Sequence, residues 1–134
     1  MSASLQRLLT VIGYPDGEMP SGGDSLSLKV DGRIVKAVER AGRIVLSCTL
    51  GEVDDAGLRR LAGYAAGRVL KEGATLAWDP SEAALMLWQE VSAAASDDVL
   101  RRFFEVFAAS CDWWCDRVGE LHSDERVPEL MIRP

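Results

Sequence analysis

Cys111 and Cys115 stand four residues apart, with His122 a little further on. On a helix, positions i and i+4 share a face, so two thiolates and an imidazole could begin a metal site. Structural zinc normally takes four ligands. These residues supply three at best, and Cys48 is distant in sequence. Cysteine is also among the most buried residue types, so core thiols are the simpler reading and no metal is expected. His122 is the only histidine. A nucleophilic triad needs a nucleophile, a base and an orienting acid, and nothing marks the nucleophile. A histidine near a helix end is better explained as solvated or capping. Glu52, Asp54 and Asp55 gather at a predicted helix start, where exposed N–H groups favour anions. No carboxylate pair sits in an apolar setting that would split its pKa values. Gly13, Gly17, Gly22 and Gly23 lack the G-x-x-x-x-G-K-[ST] spacing and precede a strand, which argues against a phosphate cradle. No catalytic residue and no cofactor is assigned.

The elements that would position such groups can be read from periodicity. Leu5, Leu8, Leu9 and Ile12 fall at helical spacing over residues 3–13. The breaker-rich stretch 13–23 is a loop. Leu26, Leu28 and Val30 alternate with polar residues in a first strand, Asp31-Gly32 signals a hairpin, and Ile34 to Arg40 forms a second strand. After Ala41-Gly42, a third strand from Arg43 to Leu50 puts Ile44, Leu46, Cys48 and Leu50 on one face. A helix over 55–71 follows, capped by Asp54 or Asp55 and ended by Gly73. Strands at 74–79 and 83–91 flank a turn at Pro80-Ser81, and a last helix starts near the cap Ser96. The order α-βββ-α-ββ-α with short connections predicts an α+β domain, an antiparallel sheet with three helices over residues 1–122, and a tail at 123–134.

Bulk properties bound the partners. The 134 residues fit one domain with a self-sufficient core. A composition of 48% hydrophobic and 27% charged residues is globular. The formal net charge of −6 argues against nucleic acid and against an anionic membrane surface. No apolar run approaches the ~20 residues that span a bilayer. The N-terminus has no continuous apolar segment of the kind that directs export. Three cysteines, an odd count without paired spacing, suggest free thiols in a reducing compartment. A cytoplasmic protein is expected.

What remains is surplus apolar surface. In the strand at 83–91, Leu85, Leu87 and Val91 fall on one face and Met86 and Trp88 on the other. A strand that covers a core on one side normally shows polar residues on the other, so the second face points to another chain. Ile34 and Val38 similarly oppose Val35 and Ala37. In the helix at 55–71, Gly63 and Gly67 lie four apart beside Ala62 and Ala66, a stripe where another backbone can come close. Of the adjacent Trp113 and Trp114, one fits the core stripe of the last helix, and Trp113 falls at its edge or outside it, either partly buried against the sheet edge or an interface anchor.

Over residues 3–121 the chain resembles the class I type III secretion chaperones, the Tir-chaperone-like family of small acidic bacterial proteins. The resemblance lies in the leucine-rich first helix ending at Ile12-Gly13, the three-stranded meander and the helix at 55–71. It continues in the segment from Asp79-Pro80 to Leu87-Trp88 and in a last helix rich in Phe and Trp. It implies a homodimer without enzymatic activity that binds an extended N-terminal segment of a type III secretion effector and keeps it secretion-competent. Its partners would be a second copy, the effector and the secretion ATPase, in the cytoplasm of a Gram-negative bacterium. The elements implied for the dimer interface carry Leu61, Gly63, Tyr64, Gly67, Arg68, Leu76 and Trp78. Effector contacts are expected on the first helix and adjoining meander, at Leu5, Leu9, Leu28, Val35 and Leu46. Docking of that helix should use about half of its aliphatics and leave the rest at a groove rim. The competing reading, a small α+β enzyme or ligand-binding domain, requires a pocket with convergent polar groups, and the sequence offers no such cluster. A third is an adaptor that dimerises and binds a folded partner.

Overall fold

The computed structural model describes residues 2–14, 25–72 and 74–132, without the side chains of 65–72 and 122–132. Its elements are α1 (Ala3–Ile12), β1 (Ser25–Val30), β2 (Arg33–Arg40), β3 (Arg43–Glu52), α2 (Asp55–Glu72), β4 (Thr75–Asp79), β5 (Ala84–Ser92) and α3 (Asp97–Ile132). This is the order read from periodicity. The helix starts are made by the expected kind of residue. Ser2 Oγ accepts from Leu5 N at 3.2 Å, Asp54 Oδ1 from Gly57 N at 2.7 Å, and Ser96 Oγ from Val99 N at 3.3 Å. Each satisfies an N–H that the helix itself leaves open. One boundary differs: α3 continues to Ile132, so the segment expected as a tail is helical backbone up to that residue.

The strands form one antiparallel sheet in the order β1-β2-β3-β5-β4. Both hairpins of the meander turn through paired positive φ angles, Asp31 and Gly32 at 51° and 81°, Ala41 and Gly42 at 52° and 75°. That geometry matches the strand twist. The chain then leaves the sheet as α2, returns on the far edge as β4, and folds β5 back between β4 and β3. The ladder of β3 on β5 breaks register between Thr49 and Gly51. Gly51 has φ 137°, and a Cβ there would stand 3.1 Å from Val118 Cγ1 of α3. The bulge thus sits where α3 comes close to the sheet.

All three helices contribute to a single core on one face of the sheet, with Leu5, Leu61, Phe107 and Trp114 meeting Leu28, Val35, Leu46 and Leu87. α1 is tied down at both ends of its contact. Ser4 Oγ donates to Glu39 Oε2 at 2.6 Å on β2. The Arg7 guanidinium donates to the carbonyls of Ala93 (3.1 Å) and Ala95, and pairs with Asp97 at 3.6 Å. These bonds stitch a helix too short to persist alone onto β2 and the β5–α3 connection.

Candidate functional site

The five residues expected to touch an effector are core residues. Leu5, Leu28 and Leu46 are fully buried, and Leu9 and Val35 are 2% exposed. The expectation that α1 would leave about half of its four aliphatics at a rim is corrected, since Leu5, Leu8 and Leu9 are buried and Ile12 is half-buried, and the reason is physical. α1 lies against both β2 and α3, so its stripe has two walls to cover instead of one. Leu5, Leu8 and Leu9 are all consumed by them.

The face of the sheet turned away from the helices is different. Ile34 is 57% exposed. Val38, Val45, Met86, Trp88 and Ala77 on the same side are only half-buried. The register makes them neighbours: Val38 pairs with Val45, Ser47 with Trp88, Thr49 with Met86, and Met86 with Ala77. Among the described residues no helix covers this band. Polar groups border it, including Lys36 and the pair Arg43 Nε–Glu90 Oε1 at 3.0 Å. The two-faced pattern of β5 and of Ile34/Val38 was legible in sequence; the contribution of Val45 was not singled out there.

A second apolar patch lies along α2 and β4. Leu58, Tyr64 and Trp78 are the exposed large side chains, and a hollow of about 280 Å³ separates the two elements, floored by Leu76 and Leu85. Of the residues expected at a dimer interface, Tyr64 and Trp78 are accessible and Leu76 is half-buried. Leu61 is not available: it is 1% exposed, because it is the inward-facing residue of α2 in the common core. Gly63 is open among the described residues: apart from its chain neighbours and its own helix backbone, none of their heavy atoms lies within 4 Å of where a Cβ would stand. The surroundings of Gly67 and the side chain of Arg68 lie outside the described residues. Behind the patch, Trp113 stands at the edge of the α3 stripe. Its ring meets Tyr64 edge-on at 5.6 Å and Trp114 at 5.0 Å, with the Arg117 guanidinium 4.8 Å from its centroid. Trp114 fills the core, as its place in the stripe requires.

The cysteines, far apart in sequence, come together. Cys48 on β3 lies in the same buried core as Cys111 on α3, with Cys115 packed against it. A hydrogen bond with Cys111, together with burial, pushes the pKa of Cys48 up to about 12. The hydrogen bond with Cys48, then burial, raises Cys115 as well. The signal in the sequence was the core-facing position of Cys48 in β3 and the i, i+4 pair on the inward stripe of α3. Among the described residues no group of three or more His, Cys, Asp or Glu could hold a metal ion, and the side chain of His122 lies outside them. A cleft of about 620 Å³ between β5 and α3 is lined by Val91, Val99, Phe103 and Val106, with Glu90 at its edge already paired to Arg43. No helix among the described residues is long and apolar enough to cross a membrane.

The fold is thus a small α+β domain with its core on one sheet face and an apolar band on the other. The chain belongs to the Tir chaperone protein (CesT) family, whose model matches residues 5–114, and is a class I type III secretion chaperone. The fold is similar to that in the HopA1–SchA chaperone–effector complex, with a TM-score of 0.66 and 16% identity over 84% of this chain and 94% of that one. It is also similar to the ExsC–ExsE complex, with a TM-score of 0.64 and 13% identity over 87% and 96%. The Yersinia pestis type III secretion chaperone SycH, solved with a stable fragment of YscM2, gives a TM-score of 0.61 and 14% identity over 84% and 98%. Among curated proteins, no relative matches.

Proposed function

We propose that the chain is a cytoplasmic, non-enzymatic chaperone that holds an extended segment of a type III secretion effector and keeps it soluble and competent for export. The observation that carries this is the open apolar band Ile34, Val38, Val45, Met86 and Trp88 on a chain of this family. An effector segment would lay aliphatic side chains along the band, and its backbone could join the sheet edge at β1. The contact surface is thus the back of the meander and β5, not the buried set Leu5, Leu9, Leu28, Val35 and Leu46. Chaperone–effector complexes among proteins of the same fold support the partner class. Net negative charge keeps a protein with exposed apolar bands soluble.

The working unit is a homodimer through α2 and β4. The exposed Leu58, Tyr64 and Trp78, the hollow between Leu58 and Trp78, and the open Gly63 support that surface. Family membership alone supports the secretion ATPase as the next partner. Co-expression with a candidate effector, pull-down and limited proteolysis tests the reading. Capture and protection of an N-terminal effector segment are expected, with both lost in Ile34→Asp and Val45→Asp while the fold persists. If both variants fold and still protect the segment, the band is not the binding surface.

A further inference from the structure

The outward positions of β2 alternate in chemistry. Ile34, Lys36, Val38 and Arg40 share the face turned away from the helices, while Val35 and Ala37 between them are buried. Same-face residues of a strand stand about 7 Å apart, so β2 presents aliphatic and cationic groups by turns at that spacing. Pairing extends the pattern sideways. Lys29 of β1 lies opposite Ile34, and Arg40 lies opposite Arg43 of β3. Lys36 stands between Ser27 and Ser47, and Val38 between Ser25 and Val45. Lys29, Lys36 and Arg40 are exposed, and among the described residues none of them has an ion-pair partner. Arg43 differs, being paired with Glu90. The carboxylates nearest in sequence are placed elsewhere. Glu39 faces the helices and accepts from Ser4, and Asp31 is in the hairpin turn. Glu52 and Asp79 stand in the last pairs of their ladders, both against Ala84. In a chain of net charge −6, the open sheet face around β2 is therefore locally positive. A cationic patch interleaved with an apolar band selects by charge as well as by apolar area.

We propose that the segment held on this face is acidic as well as aliphatic: an extended stretch of a partner polypeptide whose sheet-facing side chains alternate Leu, Ile or Val with Asp or Glu. The inference rests on the effector-binding reading and adds the chemistry of the segment. The aliphatic side chains lie over Ile34 and Val38, and the carboxylates over Lys36 and Arg40. An extended segment repeats its same-face side chains at the spacing of β2, so the two patterns stay in step. Lys29, on the edge strand beside Ile34, offers a further carboxylate contact. Because these cations are solvated, each pairing adds little to affinity. Their larger effect is on choice and rate: an acidic segment is drawn to this face and a basic one is repelled. A polyanion without apolar groups would leave Ile34, Val38, Val45, Met86 and Trp88 in water, so a polypeptide fits the face better than nucleic acid or an anionic membrane.

Random peptides displayed on phage are panned on the full chain and, in parallel, on the doubly substituted chain Ile34→Ser, Val45→Ser, which loses apolar contact without a change of charge. Peptides recovered only on the unaltered chain are those bound at the band. They should be enriched in Asp and Glu at alternate positions among aliphatics. For one such peptide, Lys36→Ala and Arg40→Ala should each weaken binding about 2–5-fold, and Arg101→Ala on α3 should not. Binding to the unaltered chain should also weaken at about 0.5 M salt, which reads the same charges without any substitution. Band-dependent peptides with no acidic enrichment, or enriched in Lys and Arg, would overturn the proposal and leave the band as a binding surface. If no peptide depends on Ile34 and Val45, the effector-binding reading falls and the proposal with it. Acidic peptides that bind Lys36→Ala and Arg40→Ala as tightly as the unaltered chain also overturn it. So does a duplex oligonucleotide or a phosphatidylserine vesicle that displaces the peptide through the same cations.

Discussion

At the scale of single residues, exposure separates side chains that hold the fold from side chains left for a partner. Leu46 is fully buried among the core of both layers. Truncating Leu46→Ala removes its transfer free energy and leaves a cavity, so a loss of about 2–5 kcal/mol is expected in urea denaturation. Ile34 lies one sheet thickness away and is 57% exposed. Ile34→Asp should therefore change stability by no more than ~0.5 kcal/mol, while removing effector binding. The same denaturation series checks it. Glu39 offers a test of how α1 is held. Hydrogen bonds from Ser2 and Ser4 lower the pKa of its carboxyl below the ordinary glutamate value. A depressed folded pKa adds stability above the unfolded pKa, and that contribution fades as pH falls through the folded value. Ser4→Ala should move the Glu39 carboxyl back up, as followed by NMR titration. An unchanged titration would mean that the α1–β2 bond does not form in solution.

At the scale of elements, close approach rather than propensity sets the vulnerable points. Gly51→Ala would force a side chain into a positive-φ position and against Val118 of α3. About 1–3 kcal/mol of destabilisation is expected, measured by thermal or chemical unfolding. Gly63 is the contrasting case. Its space is open in a single copy, so Gly63→Leu should leave the fold intact and show its effect in self-association. The hairpins, caps and strand faces were legible in sequence because each depends on a few adjacent residues: Asp31-Gly32, Ser96, or the alternation of Leu26, Leu28 and Val30. What depends on three-dimensional partners was not legible. Whether α1 buries half or all of its leucines is decided by α3 lying beside it. Leu61 and Tyr64 share one helix, yet only the presence of the common core makes the first internal and the second accessible. That Cys48, Cys111 and Cys115 fall in one core likewise follows from α3 lying against β3.

At the scale of the whole molecule, the helices cover one side of a five-stranded sheet, and the other side carries a bordered apolar band. Two copies joined through α2 and β4 would each keep that band free. Light scattering at micromolar concentration should give the dimer mass for the unaltered chain and the monomer mass for Trp78→Asp; a dimer unaffected by Trp78→Asp would place the interface elsewhere. The most direct test of the account is methyl NMR of the labelled chain as an effector's N-terminal segment is added. Shifts are expected at the methyls of Ile34, Val38, Val45 and Met86, with Leu5, Leu28 and Leu46 unmoved. Shifts at those buried leucines with a silent Ile34 and Met86 would contradict it, since the effector would then be entering the core or binding on the helical side.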